Sequence, residues 1–551
     1  MTQSSLRGEG SAVEEAIPPA PRKGSTSDGR GRHGGGGRGG KKRDAAGRGP
    51  ARRVLRWSAM VLALVVLGTA GAGYLYYQHL NGNIRKGQRS SGDSKAQRAR
   101  PNSAGQTPVN ILLIGSDSRN SDANVALGGS RDNRGTPPRG DVQMLIHLAA
   151  DRKSAAVVSI PRDTRVDIPK CTDPDTGKVY PPVNEIINES LARGGAGCTL
   201  ATWESLTGVY IDHWMTIDFA GVVKMADAIG GVEVCVKQNV WDRPTPLAPG
   251  GSGLKLTAGK HKVKGKEALQ WLRTRHAWGS DLLRARAQHM YMNSMIRTLR
   301  SQNVFTDSGR LMGLAEAATK SLQVSEEIGT VEKLYHLAMQ LKTVPTDRIT
   351  MTTMPNVADP QDDNHVVPDG AGATKVWKML RDDVPFDDKG PAPDAKNSKK
   401  RTGESAADRT PSVPADRLGV LVQNGTRTAT QAPVGGRARE IGQELAGKGF
   451  TRASSDTSAA LSEEETLVRY PSADLEGDAQ SVAKALGIPL SSVRKSTDVS
   501  GVTVVVGADW RTGSTYPKEA APKAGDLPDN SDAINGSDES QCMDVYAPYR
   551  W

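Results

Sequence analysis

Three short stretches combine aspartate and arginine where strands should meet loops. Ser116-Asp117-Ser118-Arg119 follows "NILLIG", Arg139-Gly140-Asp141 precedes "VQMLIHLAA", and Pro161-Arg162-Asp163 follows "VVSI". Aspartates such as Asp117 and Asp141 are hard oxygen ligands suited to Mg²⁺ or Mn²⁺, with phosphate oxygens completing the shell. Guanidinium forks bind phosphate oxygens bidentately. More candidates follow in "LQWLRTRHAWGSDLLRARAQ". If a helix ends near Leu272, Arg273 and Arg275 lie on an extended segment and point the same way. Asp281 is then placed to cap the next helix, on which Arg284 and Gln288 share one face at i, i+4. The chemistry this set would do is metal-assisted handling of a phosphate. Several arginines match a pyrophosphate better than a single phosphate group. The competing reading is surface ion pairing, worth about 0–1 kcal/mol per pair.

For these groups to meet, the chain must bring distant loops to one place. Open α/β sheets do this at strand ends. Val109–Ile114, the "VQMLIHLAA" stretch and "VVSI" read as strands. Their loops face one crevice only if the strand after Arg139-Gly140-Asp141 runs antiparallel to the other two. Helices follow in "TLATWESLTG", "FAGVVKMADAIGG", "GKEALQWLR" and Leu282–Leu299, with two more near 309–322 and 328–342, then a strand "ITMTTMP". This order argues a layered α/β domain over 108–385. Residues 386–412 form a charged linker. A second, smaller domain covers 413–510, with a strand "RLGVLVQNGT", helices near 434–447 and 477–486, and a closing strand "GVTVVVGAD". Residues 511–551 are polar, with a mostly disordered tail expected apart from the "CMDVYAPYRW" end. His147, His261, His276 and His289 have no partner at metal spacing and read as packing or surface residues. There is no Gly-Lys-Ser phosphate loop, no Gly-x-Ser-x-Gly elbow and no cysteine pair for zinc.

The formal net charge is +11. Much of the arginine excess lies before residue 54, in runs such as "GRGRHGGGGRGGKKR" that are too apolar-poor to bury a core. The basic balance therefore does not argue for nucleic acid. Residues 57–77 carry no charge and can span a bilayer as a helix, with Trp57 and Tyr74, Tyr76 and Tyr77 at its ends. Arg48, Arg52, Arg53 and Arg56 place the N-terminal tail in the cytoplasm and everything beyond about residue 78 outside. An uncleaved anchor over 54–77 fits better than a signal peptide, given the long tail before it. Residues 78–107 read as a spacer. Four cysteines suit an exported domain. Cys171 and Cys198 bracket one excursion and invite a disulfide; Cys235 with Cys542 follows by elimination.

The blocks "NILLIGSDSR", "RGDVQMLIHL", "VVSIPRDTRVDIP", "INESLARGGAGCTLATWESLTGVYIDHWMTIDFAGVVKMADAIGGVEVCV" and "ALQWLRTRH…SDLLRARAQ" resemble, in order and spacing, the LytR-CpsA-Psr (LCP) family. Residues 416–510 are similar to the LytR C-terminal domain of actinobacterial members. The resemblance implies an α/β/α core with a mixed sheet and an apolar tunnel, a small α+β C-terminal domain, and one N-terminal transmembrane helix. It implies a membrane-bound phosphotransferase outside the cytoplasm, moving a glycopolymer such as teichoic acid from a polyprenyl pyrophosphate to peptidoglycan through a phosphodiester. On that resemblance Asp117 and Asp141 hold the metal. Arg162 beside Asp163, then Arg273, Arg275 and Arg284, grip the pyrophosphate, supported by Asp281 and Gln288. Arg119 and Arg139 are candidate substrate contacts. The family's usual Gly-Arg and Arg-Gln-Gln give way here to Leu283-Arg284-Ala285-Arg286-Ala287-Gln288, so either Arg284 or Arg286 takes the inward role. A hydrolase of the same lipid, or a non-catalytic wall-binding or regulatory protein, is the alternative.

Overall fold

The computed structural model describes residues 50–99, 101–102, 104–118, 121–127, 135–246, 248–301, 307–390, 410–428, 431–463, 465–517 and 522–551. Arg119, most of the basic tail and most of the 386–412 linker lie outside the described residues.

The first helix, α1, runs over Pro50–Asn83. Its first part, up to Ala70, belongs to a separate compact unit. There Trp57, Leu62, Val65 and Leu67 are all exposed. A span from Arg53 to Asn83 is long and apolar enough to cross a membrane.

The second unit holds an eight-stranded mixed sheet. We number only the strands of the two large sheets. In the first these are β1 (Arg85–Gly87), β2 (Val109–Ser116), β3 (Gly140–Leu148), β4 (Ala155–Ser159), β5 (His213–Ile217), β6 (Leu322–Ser325) and β7 (Ile349–Thr353). The second sheet has β8 (Gly419–Asn424), β9 (Arg452–Ala460), β10 (Leu467–Tyr470), β11 (Val493–Lys495) and β12 (Val502–Val506), and β13 (Ile534–Asn535) then returns to the first. The first sheet has the order β1-β6-β5-β2-β3-β4-β7-β13. Strands β2, β5, β4 and β7 run in one direction, while β3 is antiparallel to both β2 and β4. The C-terminal ends of β2, β4 and β5 and the N-terminal end of β3 therefore share one edge.

Period-two burial supplies both faces of the sheet. Leu112, Ile114, Leu145 and Val158 pack against Trp203 of helix α2 (Ser190–Thr207) and, further along the chain, Trp377 of a helix over Gly370–Arg381. Ile111 and Leu113 face the other way, against Leu337 and Leu341. That second layer holds α5 (Asp281–Ser301) and α7 (Val331–Thr343), while α3 (Phe219–Ala228), α4 (Gly265–Arg273) and α6 (Ser308–Ser321) gather with α5 in a neighbouring apolar cluster. The result is an α/β/α sandwich. The smaller sheet, ordered β9-β8-β12-β10-β11, begins with a parallel β8–β9 pair joined through a helix over Arg437–Gly447.

Two expectations are corrected. The 78–107 stretch is not a free spacer. Arg85–Gly87 pairs as an edge strand, Arg89 Nη1 meets Glu204 Oε1 at 2.8 Å, and Arg98 Nη2 meets Asp212 Oδ1 at 2.5 Å. These arginines answer buried acids that sequence alone did not locate. Nor is the stretch before Cys542 simply a disordered tail: among its described residues, β13 pairs with β7, and the Cys542–Trp551 end, set apart in the sequence, brings Met543, Val545 and Tyr549 into the core beside Trp271 and Trp278. Disulfides join Cys171 to Cys198 and Cys235 to Cys542.

Candidate active site

The shared edge of β2, β3, β4 and β5 opens on a cavity of about 330 Å³. Asp141 enters it from an irregular point in the ladder. Gly115 pairs with Val142 and Ser116 with Gly140, so Asp141 is the extra residue of a β-bulge. Bulges re-aim side chains in this way. Arg162 comes from the turn after β4, which is pinned by Thr164 Oγ1 donating to Pro161 O at 2.6 Å. Its Nη1 donates to Asp141 Oδ1 at 3.0 Å, its Nε to Asp163 Oδ2 at 3.3 Å, and Asp281 Oδ2 lies 3.9 Å from the same Nε. Burial works against the charge of Arg162, but Asp141, Asp163 and Asp281 together outweigh it and raise its pKa above the ordinary arginine value. Arg284, more deeply buried, goes the other way: burial lowers it despite Asp281, and the like charge of Arg162 adds to the fall.

Arg273, Arg275, Arg284 and Gln288 also line the cavity. Helix α4 runs one residue further than expected, to Arg273, and Thr274 is already extended. Both residues line the cavity, Arg273 from the last turn of the helix and Arg275 from beyond it. Arg273 Nη1 donates to Leu127 O at 3.1 Å and the guanidinium stacks 4.7 Å from the Phe219 ring. Asp281 does not cap α5. Ser280 does, its Oγ accepting from Leu283 N at 3.2 Å, while Asp281 occupies the first turn and receives Arg284 Nη2 at 2.6 Å. The Ser280 hydroxyl reaches a first-turn amide, which frees Asp281 for the arginine. Gln288 Nε2 donates to Leu272 O at 3.0 Å and so ties α5 to the end of α4. The choice between Arg284 and Arg286 is resolved: Arg284 lines the cavity, and Arg286 pairs with Asp532 and Gln541 of the C-terminal segment.

Asp117 and Arg139 lie at the rim. Arg139 N donates to Asp117 Oδ1 at 2.8 Å, and Arg139 Nη2 pairs with Glu189 at 2.5 Å. Neither is among the residues that line the cavity. Arg119 lies outside the described residues. Sequence reasoning missed Asp218, Asp242, Ser252 and His276, which do line it. Asp218 carries a helix-cap signal, Asp218-Phe219-Ala220-Gly221, but nothing local marks Asp242 or His276, whose role depends on a loop folding back. One side of the cavity is apolar, with Ile217, Phe219, Val222, Leu269 and Leu272.

Among the described residues, four arginines, three aspartates and several apolar side chains line this one cavity at a strand edge of an α/β fold, a lining that suits an anionic group attached to a greasy one. The LytR_cpsA_psr family model matches residues 74–382, more than half the chain, and the chain belongs to that family. A second model, described as the LytR cell envelope-related transcriptional attenuator, matches residues 417–510. Among curated relatives, the cell wall biosynthesis protein LcpA of Corynebacterium glutamicum is 29% identical over 55% of this chain. The chain spans 60% of the length of LcpA and 66% of the length of the related LcpB. The polyisoprenyl-teichoic acid–peptidoglycan teichoic acid transferase TagT of Bacillus subtilis is 25% identical over 54% of this chain and 87% of its own length. Solved structures include a LytR-Csp2A-Psr enzyme from Actinomyces oris (16% identity, TM-score 0.39, 54% of this chain and 95% of that one). Another is TagT bound to LIIa-WTA (21% identity, TM-score 0.38, 54% and 98%).

Proposed function

We propose that this chain is a membrane-anchored phosphotransferase that moves a glycopolymer from a polyprenyl-pyrophosphate carrier to a peptidoglycan hydroxyl, leaving a phosphodiester. The observation that carries this reading is the convergence of Arg162, Arg273, Arg275 and Arg284 in one cavity with an apolar wall. Family membership and the teichoic acid transferase activity for which TagT is named support it. Phosphoryl transfer asks a protein mainly to position groups and offset charge. Arg162 and Arg284, fixed by Asp141, Asp163 and Asp281, present pre-set forks to the diphosphate. Gln288 fixes the helix pair that carries them. Ile217, Phe219 and Val222 suit the first prenyl units.

Asp117 and Asp141, at adjacent ends of β2 and β3, would hold Mg²⁺ or Mn²⁺. Among the described residues no group of three or more His, Cys, Asp or Glu could hold a metal alone. That suits Mg²⁺, which takes one or two carboxylates and fills its shell with substrate phosphate and water. Arg162 is already answered by aspartates, so a diphosphate calls for a further cation. Bound there, the ion would neutralise charge on the phosphate oxygens.

The apolar α1 is read as a single-pass anchor. The arginines before it and the two disulfides favour a cytoplasmic N-terminus and an oxidising compartment for the rest. Anchoring keeps the cavity where the lipid carrier lies.

The test is a transfer assay with the full chain in detergent, a labelled polyprenyl-pyrophosphate disaccharide and peptidoglycan. Label should appear on peptidoglycan as an acid-labile phosphodiester, vanish with EDTA and return with Mg²⁺ or Mn²⁺. Release of the sugar phosphate at the same rate without peptidoglycan would instead identify a hydrolase.

A further inference from the structure

Among the described residues three carboxylates line the cavity: Asp141, Asp218 and Asp242. Two of them are committed. Asp141 is paired with Arg162 at 3.0 Å. Asp218 caps α3 through Gly221 N at 2.8 Å and accepts from Asn124 Nδ2 at 3.0 Å. Asp242 is different. It is 1% exposed, and one oxygen, Oδ2, accepts the Ser252 amide at 2.7 Å. The other, Oδ1, is buried with no hydrogen-bond partner among the described residues. An unsatisfied buried polar group costs about 1–3 kcal/mol, and more when charged, so its retention calls for an explanation.

The frame around Asp242 is tightly built. Its N–H donates to Leu254 O, and its carbonyl accepts from Gly253 N, both at 2.9 Å. A Cβ on Gly251 would lie 2.6 Å from Asp242 O, so only glycine lets the loop approach this closely. The next loop residue, Gly250, sits beside His276, which a Cβ would meet at 3.8 Å. His276 carries the complementary feature. Arg275 Nε donates to its Nε2 at 3.2 Å, and arginine can only donate. The neutral ring therefore carries its proton on Nδ1, which is also buried without a partner among the described residues. Both residues line the cavity, one carrying an unmatched acceptor and the other an unmatched donor, the kinds of group that a sugar hydroxyl satisfies.

We propose that Asp242 Oδ1 accepts the proton of the hydroxyl that attacks the diphosphate, with His276 Nδ1 donating to the hydroxyl oxygen as it is oriented. This rests on the transfer reading above. In the step, the acceptor oxygen forms a bond to the sugar-side phosphorus. The bond from that phosphorus to the bridging oxygen breaks, and its electron pair leaves with the lipid phosphate. The hydroxyl proton passes to Asp242, which returns it to water after product leaves. Asp141 and Asp163 serve this step less well, because protonating either would strip Arg162 of a partner.

The test uses the full chain and the transfer assay, with donor binding measured separately by tryptophan fluorescence. Asp242→Asn keeps the shape and should keep the wild-type melt and donor affinity, while single-turnover transfer falls on the order of 10²-fold or more. Its rate should lose the acid-side pH dependence of the wild type. Asp242→Ala should be slow and recover with added formate, which replaces the missing base; His276→Gln should raise the acceptor KM more than it lowers kcat. Transfer by Asp242→Asn at the wild-type rate overturns the proposal. So does loss of donor binding, or a slow variant that keeps the acid limb and whose alanine counterpart ignores formate. Failure of the wild type itself to transfer would sink the parent reading instead, whatever Asp242 does.

Discussion

At the scale of single residues the site depends on geometry that charge alone does not supply. Arg162 reaches Asp141, Asp163 and Asp281 with one planar group. A lysine has a single point charge and cannot span three carboxylates. Arg162→Lys should therefore fold but transfer on the order of 10²–10³-fold more slowly, read as kcat with an unchanged melting curve. Arg162→Ala should both lose activity and melt lower, because three carboxylates then face one another with less compensation. Much of this was legible in the sequence, since Arg162-Asp163 and Arg139-Gly140-Asp141 stand at strand ends. Asp281 was also legible as a site residue, but its role was not. Whether it capped the helix or received Arg284 depended on Ser280 taking the cap, which spacing does not reveal.

At the scale of elements, α5 carries both function and a pH liability. Its N-terminal turn presents Arg284, and its interior buries His289 completely. Burial, aided by the positive charge of Arg286, pushes the His289 imidazole down to about 4. The unfolded chain binds that proton near the ordinary value of about 6.5. Between these values the unfolded state holds more protons than the folded one, so stability is full above about pH 6.5 and falls as pH drops toward 4, by up to about 3 kcal/mol. Urea midpoints measured at about pH 7 and about pH 4.5 should shift less for His289→Leu than for the wild type. The helix itself was readable from its apolar stripe. The burial of His289 was not, because a histidine on a helix reads equally as packing or surface until its neighbours are known.

At the scale of the whole molecule, the C-terminal segment is part of the unit that carries the cavity. It adds β13 to the large sheet, its Tyr546 amide donates to Ala277 O at 2.8 Å, and Tyr549 stacks on His276 at 6.2 Å. The Cys235–Cys542 bond closes a sequence separation of 307 residues. Losing such a bond costs roughly 2–5 kcal/mol. Cys542→Ser should lower the melting temperature under non-reducing conditions and open the 534–549 stretch to protease. Wild type treated with reductant should melt at least as low, since the Cys171–Cys198 bond opens as well. A variant as stable and as protease-resistant as the oxidised wild type would show that the strap holds without its staple.

The chain's own order of residues already determined the long apolar helix, the strand ends that bear charge, the helix stripes and the separate C-terminal sheet, because each is a local matter of periodicity, turn chemistry and apolar length. Only the tertiary structure decided that β3 runs antiparallel between β2 and β4, that Asp141 sits in a bulge, that Asp242 and His276 share the arginine cavity, and that Ile534 and Asn535 return to the sheet. Those outcomes depend on which distant segments find each other, and loop closure and packing over hundreds of residues leave no short-range mark on the sequence.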